Sequence, residues 1–374
     1  MSKDRYVLLD IYDFSNRGDW LMLEAMLEQV RKRLPQAVPV LPRFAYDQNV
    51  RWCDARGLVP LGGGRFYGAF RRRKLRKQVP PHLIDTVLFS PGFRFSDQIA
   101  AGCQTDYYLG YFAKFAKRGR RIFFMPQAFG PFRTKAAQDC MRAVFAIPDR
   151  IFVRDTESLR FLEELVGRSD RVESCPDFTC LFHGERHPLP YPERGYVVLI
   201  PNYNMVVGTD KAVGARYEAF MVAVADHLTT RGEKVVLLNH EGERDEQIAM
   251  RINAQLKTPV YLATRLTGGE CKSVISGAKL VVSSRFHGVV SGLTDGVPTL
   301  CTSWSHKYGE LLRELGCPEN ILDVRDVPAA LKTVNGALAS PVRYAPPPET
   351  LEALRHRICG MWREIFPDEP PTRT

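Results

Sequence analysis

No stretch of the 374-residue chain runs to 18 consecutive uncharged apolar residues, so no membrane-spanning helix is expected. The opening MSKDRYVLLDIYDF is not patterned as a secretion signal. Asp10 and Asp13 break its apolar part, and no small-residue cleavage site follows. Several phosphate and catalytic motifs are missing as well. Without GxxxxGK[ST] a P-loop nucleoside triphosphatase is excluded, and without GxGxxG after a strand there is no dinucleotide fingerprint. The lack of GxSxG argues against an α/β-hydrolase, and HExxH is absent. No helix-turn-helix, RNA-recognition or zinc-finger pattern is present, so nucleic acid is not an expected partner. There is no fixed-period repeat.

What is present is ordinary globular composition, 45% hydrophobic and 25% charged, with an excess of cations that gives a formal net charge of +10. A charge of that size suits an acidic partner: an anionic small substrate, an anionic polymer or a membrane surface. The densest basic block, RRRKLRK at 71–77, reads as a solvated segment or as a peripheral membrane contact. The nine cysteines form no disulfide framework, and with no secretion signal they are expected as reduced thiols in the cytoplasm. The alternative location is the inner face of the membrane. Cys175, Cys180, His183 and His187 lie close in sequence but do not match the two-plus-two zinc spacings. They read as buried thiols and loop histidines, and no metal is expected.

Short β-branched or aromatic runs alternate with amphipathic helical stretches from end to end. The strand-like runs are Tyr6–Tyr12, Val38–Leu41, Thr86–Ser90, Arg121–Pro126, Ile151–Arg154 and Val172–Cys175. They continue with Tyr196–Pro201, Lys234–Leu238, Val260–Ala263, Leu280–Ser283, Thr299–Thr302 and Ile321–Val324. Such alternation predicts parallel sheets covered by helices on both faces. The polar, proline-bearing HGERHPLPYPER divides the chain. We read an N-terminal Rossmann-like domain over 1–182, a linker over 183–194, a C-terminal Rossmann-like domain over 195–340, and a Pro-rich segment with a final helix over 341–374. That helix is expected to pack back across the junction. Open parallel sheets bind ligands at the carboxyl ends of their strands, which is where the site is sought.

The chemistry-bearing residues cluster at such strand ends. In SSRFHG, Arg285 and His287 stand between a strand and a helix, with Gly288 in the first turn. Free N–H groups and the helix dipole attract an anion there, and a guanidinium fits carboxylate or phosphate. An imidazole in that place can accept a proton, or carry one beside an anion. Lys307, after the next strand, would add a second cation. The structural alternative is that Arg285 pairs with a carboxylate and His287 caps the helix. In the first half, Arg154 follows a strand and Asp155 suits a helix cap. Gln127 lies in the loop-like MPQAFGP, and Asn16 and Asp19 join the first strand to the first helix. His240 ends another strand beside Glu241, Glu243 and Asp245.

In order along the chain, NRGD, MPQAFGP, VRDTES, SCPDFT, NHEGERDE and SSRFHGVVSGLTDGVPTLCTSWSHK resemble the polysaccharide pyruvyl transferase family, from about residue 5 to about 315. The last segment is the most specific. Phe286 departs from it, standing where the family usually carries a smaller aliphatic residue. The resemblance implies a fold like the two-domain glycosyltransferase B type. It also implies transfer of a pyruvyl group from phosphoenolpyruvate to a sugar as a ketal, with phosphate released and no cofactor beyond that co-substrate. On it, His287 and Arg285 would be catalytic. Arg154, Arg285, Gly288 and Lys307 would hold the donor, and Asn16, Asp19, Gln127 and His240 would line the acceptor. The acceptor would be a sugar, a polysaccharide or a lipid-linked glycan. Two rivals share this architecture: a nucleotide-sugar glycosyltransferase and a non-catalytic glycan-binding protein.

Overall fold

The computed structural model describes residues 5–11, 13–62, 78–97, 105–116, 119–192, 194–304 and 307–367; the basic run 71–77 lies outside them. The chain forms two compact units. The first takes Met1–Phe14, Met22–Phe178 and Arg357–Thr374, and the second takes Ser15–Leu21 and Thr179–His356. Each contains its own sheet. The second unit is therefore not one continuous stretch, because the short segment ahead of and into the first helix counts with it. The C-terminal helix Pro348–Ile365 is likewise divided between the units.

In the first unit the strands are β1 Arg5–Asp10, β2 Ala37–Leu41, β3 Val59–Pro60, β4 Ile84–Phe89, β5 Phe93–Phe95, β6 Arg121–Phe129, β7 Arg150–Val153 and β8 Val172–Ser174. They pair in the order β3-β2-β1-β4-β6-β7-β8, with β5 on the far end of β6, and every pairing is parallel. The strand order reverses between β1 and β4, the position at which open sheets open a crevice. The apolar runs are nearly continuous because both faces are covered. Leu8, Val87, Phe89, Phe124 and Ile151 enter one core with Tyr108 and Phe112 of the helix Thr105–Ala116.

The second unit has β9 Tyr196–Ile200, β10 Lys234–Leu238, β11 Tyr261–Ala263, β12 Leu280–Ser283 and β13 Thr299–Cys301, ordered β11-β10-β9-β12-β13 and parallel throughout. Side chains alternate between faces with period two. Val197 and Leu199 pack into one core with Tyr217, Phe220 and Val224 of the helix Lys211–Thr230, while Tyr196, Val198 and Ile200 pack into the other with Val274 and Ile275. The order reverses between β9 and β12.

Three strand expectations change. β6 runs on to Phe129 and takes in Gln127, which the prolines and the glycine of MPQAFGP had placed in a loop. The short β3 and β5 carry too few residues to make a periodic signal. Ile321–Val324 is no strand. Ile321 makes a single bridge to Cys301, squeezed between a 3-10 turn over Pro318–Asn320 and the turn in which Asp326 N–H meets Asp323 O. Cysteines 53, 175, 180, 271, 301, 317 and 359 are in no disulfide. Cys140 departs from the reduced-thiol expectation and is disulfide-bonded.

Asp10 ends β1 with 3% of its surface exposed and accepts a hydrogen bond from Tyr111 Oη at 2.8 Å. Burial pushes its carboxyl up to about 7, against the partial pull of the Tyr111 bond and the Arg94 charge. The unfolded chain ionises this group near 3.8 while the folded chain holds the proton. Its stabilising contribution is therefore complete below the unfolded value and is lost as pH rises through about 7. Asp10→Asn is expected to leave stability at pH 4 nearly unchanged and to raise it at pH 8 by on the order of 1–4 kcal/mol. Urea unfolding at the two pH values checks this; equal shifts at both would rule it out.

Candidate active site

The C-terminal edge of the second sheet gathers Asn202 after β9, His240 and Glu241 after β10, and Ser284 and Arg285 after β12. These positions flank the point where the strand order reverses. Ser283 Oγ accepts the Arg285 N–H at 3.1 Å and donates to Arg285 O at 2.9 Å, which turns the chain out of β12 and into the helix Phe286–Thr294. That helix sits close over the strand. A Cβ on Gly288 would meet Ser283 Oγ at 2.5 Å and Ile200 Cδ1 at 2.8 Å, so only glycine fits without displacement. Gly288 is thus a buried packing residue in the first helical turn.

Ser284 is fixed from several sides. Asn202 Nδ2 and Tyr308 Oη donate to its carbonyl at 2.7 and 2.8 Å, and Tyr217 Oη and Thr302 Oγ1 donate to its hydroxyl at 2.7 Å each. Burial pushes both phenols up, so Tyr217 and Tyr308 stay neutral donors. A lattice of this kind holds the backbone of Arg285 in place.

The guanidinium of Arg285 is held by carboxylates, as the structural alternative had it. Nε and Nη2 donate to Asp245 Oδ2 and Oδ1 at 2.6 and 2.7 Å, and Nη1 donates to Glu241 Oε2. The two carboxylates differ. The Asp245 side chain is wholly buried and also accepts the Tyr203 N–H at 2.9 Å, whereas that of Glu241 is 34% exposed. Burial works to lower the guanidinium's pKa, but the Asp245 bond and the charges of Glu241 and Asp245 outweigh it and leave it raised. Glu241 is pushed up by burial in spite of Arg285. An arginine has five N–H groups. Three are engaged with side chains of the described residues, and one further N–H each on Nη1 and Nη2 has no such partner among them.

His287 lies in the first turn beyond Arg285, its ring edge-on to Phe286 at 5.8 Å, and Phe286 meets Tyr308 at the same separation. The larger Phe286 therefore wedges between the imidazole and the anchoring tyrosine. His240 is buried, and its pKa is driven well below the ordinary value by burial first and then by the charges of His287, Arg285 and Arg17. It is a neutral imidazole at pH 7.

The segment Ser15–Leu21 lies against this edge. Asn16 bridges Glu241, Ser15 O accepts the Gly242 N–H at 3.2 Å, and a Cβ on Gly268 would strike Leu21 N at 2.4 Å. A Cβ on Gly18 would lie 2.2 Å from His287 Nδ1. Asn16 caps the first helix: its Oδ1 takes the Gly18 N–H at 2.8 Å and its carbonyl takes that of Trp20 at 3.0 Å. Asp19 is buried in the first turn. Lys307 opens the helix Lys307–Glu314, directly before the Tyr308 that anchors Ser284.

The structure thus collects Asn16, His240, Arg285, His287 and Gly288 in the second unit, with Lys307 one residue from the same lattice. Arg154 and Gln127 belong to the first unit. Both stand at the C-terminal edge of the first sheet, where Arg154 Nη1 is 3.5 Å from Asp177 Oδ2. Asp155 caps its helix as expected, accepting the Ser158 N–H at 2.8 Å. The sequence reading had not assigned roles to Asp245, Gly18, Tyr217 or Tyr308. Asp245 had a usable signal, since an acid four residues after Glu241 returns to the same side of a helix start.

The family model for polysaccharide pyruvyl transferase matches residues 16–306. Among curated proteins, the amylovoran biosynthesis protein AmsJ of Erwinia amylovora is 21% identical over 244 residues, covering 58% of this chain and 58% of that protein. Among solved structures, Staphylococcus aureus MnaA with UDP is 10% identical with a TM-score of 0.54, covering 98% of this chain and 99% of that one. A glycosyltransferase from Rickettsia africae is also 10% identical, with a TM-score of 0.52, covering 98% and 100%. These two likenesses speak to fold alone, a glycosyltransferase B-like α/β architecture.

Proposed function

The chain belongs to the polysaccharide pyruvyl transferase family, and on that premise we propose that it moves the pyruvyl group of phosphoenolpyruvate onto a sugar of a polysaccharide or lipid-linked glycan as a ketal. In the reaction two sugar hydroxyls add to the central carbon of the donor, its methylene gains a proton to become methyl, and phosphate leaves. One hydroxyl proton balances the new methyl and the other departs with phosphate or buffer.

The observation that carries this reading is Arg285 with His287 beside it. Asp245 holds the guanidinium through a bidentate pair, and one further N–H each on Nη1 and Nη2, without a side-chain partner among the described residues, would receive a carboxylate or phosphate. Glu241, the more exposed of the two partners, is the one a donor anion displaces. His287 is the proton-transfer group in our reading, with its effect of the ~10²–10⁴-fold order usual for such a group. Lys307 is a further cation for the donor. Asn16, Asp19 and His240 come from the same unit and line the approach to it.

The test is phosphate release from phosphoenolpyruvate, measured with and without a panel of free sugars and lipid-linked glycan extracts as acceptors. Acceptor-dependent release is expected, together with a rise in melting temperature on adding phosphoenolpyruvate. If UDP-N-acetylglucosamine raises the melting temperature and phosphoenolpyruvate does not, the glycosyltransferase alternative replaces this reading.

A further inference from the structure

Within the second unit, the segment Ser15–Leu21 carries a residue to which the transferase reading gives no role. Arg17 stands between Asn16 and Gly18, and its backbone is clamped on two sides. On one side, a Cβ on Gly268, which opens the helix Gly268–Ser276, would lie 2.8 Å from Arg17 O. On the other, a Cβ on the neighbouring Gly18 would lie 2.2 Å from His287 Nδ1. Neither distance leaves room for a methyl group, so the segment is packed onto this edge without slack.

The Arg17 side chain is held as well. Its guanidinium carbon lies 5.3 Å from the ring centroid of the buried Trp20, and Nη1 donates to Ser15 O at 3.2 Å. That same carbonyl accepts the Gly242 N–H at 3.2 Å, so the guanidinium is set at the Glu241–Gly242 turn. Asn16 bridges Glu241 from the same segment, and Glu241 in turn holds Arg285 Nη1. Two guanidiniums therefore flank one turn, Arg17 by way of Ser15 and Arg285 by way of Glu241. The buried His240, directly before that turn, registers both. Burial lowers its pKa first, and the charges of His287, Arg285 and Arg17 lower it further. Like charges gathered beside a buried group are unfavourable on their own and become favourable once an anion joins them.

We propose that Arg17 is a specificity-determining residue of the donor site: it engages the phosphate of the bound donor while Arg285 engages the carboxylate. The site would then select a ligand with two anionic groups over a simple carboxylate. The inference rests on the transferase reading above. Arg285 shares its charge with Asp245 and Glu241, which suits a singly charged carboxylate. A phosphate monoester carries roughly −1.5 to −2 charges and calls for a further cation. A guanidinium matches its oxygens through parallel N–H groups. When phosphate leaves the central carbon, its bridging oxygen keeps the bonding electron pair. Charge therefore grows on the departing group, and a cation already fixed beside it stabilises that charge without reorganisation. The clamped backbone and the Trp20 contact supply the fixing.

The test compares the full-length wild type with Arg17→Gln, which keeps an N–H for Ser15 O and loses the charge, and with Arg17→Lys, which keeps the charge. Arg17→Met, which keeps the stem along Trp20, gives the same comparison should Arg17→Gln not fold. Isothermal titration calorimetry at low salt follows inorganic phosphate, pyruvate and phosphoenolpyruvate. Arg17→Gln is expected to weaken phosphate and phosphoenolpyruvate by about 10–100-fold, the worth of a charge-assisted hydrogen bond, and to leave pyruvate nearly unchanged. Arg17→Lys should recover most of the phosphate affinity, since an ammonium also serves phosphate as a point charge. Phosphate bound equally by wild type and Arg17→Gln, or not bound by wild type at all, overturns the assignment. So do equal losses for phosphate and pyruvate, or a lysine variant as weak as the glutamine one, because Arg17 would then only shape the segment. Phosphate binding that depends on Arg17 while phosphoenolpyruvate neither binds nor turns over leaves the anion site standing and removes the pyruvyl-transfer reading. Phosphoenolpyruvate bound and turned over equally by wild type and Arg17→Gln does the reverse.

Discussion

Arg285→Ala is expected to abolish phosphate release from phosphoenolpyruvate and to destabilise the second unit by about 3–5 kcal/mol. The two losses have separate origins. The stability loss comes from Asp245, whose side chain is wholly buried and would keep only the Tyr203 N–H as a partner. Glu241, already pushed up by burial, would take a proton and relax toward solvent. Asp245 has no such exit, and an unpaired buried carboxylate accounts for most of the penalty. The activity loss comes from the planar guanidinium beside His287, which a methyl group does not replace. A companion variant separates the effects. Arg285→Met combined with Asp245→Asn and Glu241→Gln removes charge from both sides of the pair, so most of the stability should return while activity stays lost. Urea unfolding and phosphate release on the two proteins check this. Activity recovering along with stability would show that Arg285 is a structural residue and that the donor anion binds elsewhere.

The two sheets were legible in the sequence because parallel strands buried on both faces are written as short apolar runs, and eleven of the twelve runs named from sequence became strands, displaced by a residue or two at most ends. The exceptions share a cause. Val59–Pro60 and Phe93–Phe95 are too short for any period to register, and the MPQAF segment hides a strand because Pro126 and the following glycine read as turn signals. Ile321–Val324 had the composition of a strand, but the turns on either side left it room for one bridge. The site was legible to a similar depth. Arg285 and His287 stood out by chemistry, since two basic groups after an apolar run need an explanation. What surrounds them did not. Asp245 is 40 residues away from Arg285 in the chain, and Tyr217 is 67 away from Ser284. Partnerships of that range are made by strand order, which composition does not encode.

Gly18→Ala is expected to lower turnover by about 10²-fold, the loss typical of moving a reacting group by around an ångström, with little change in overall stability. A Cβ at this position would lie 2.2 Å from Nδ1 of His287, 2.7 Å from Cε1 and 2.9 Å from Cγ, so the imidazole or the segment carrying Gly18 must shift. The constraint is one of space, since Gly18 lies in the first turn of an ordinary helix whose N–H is already taken by Asn16 Oδ1. Alanine gains up to about 1 kcal/mol over glycine in helix propensity, which offsets part of the local strain. The effect should therefore appear in turnover and its pH profile and not in the melting temperature. Because Gly18 acts through the imidazole, its effect should depend on His287. In a His287→Ala background, already slowed ~10²–10⁴-fold, adding Gly18→Ala should change little, because the methyl group then has the space the ring vacated. Full additivity in that cycle would mean that Gly18 serves the backbone of the NRGD turn and not the imidazole. Wild-type turnover in Gly18→Ala would show that the reaction does not depend on where the His287 ring sits, and His287 would then lose its place as the proton-transfer group.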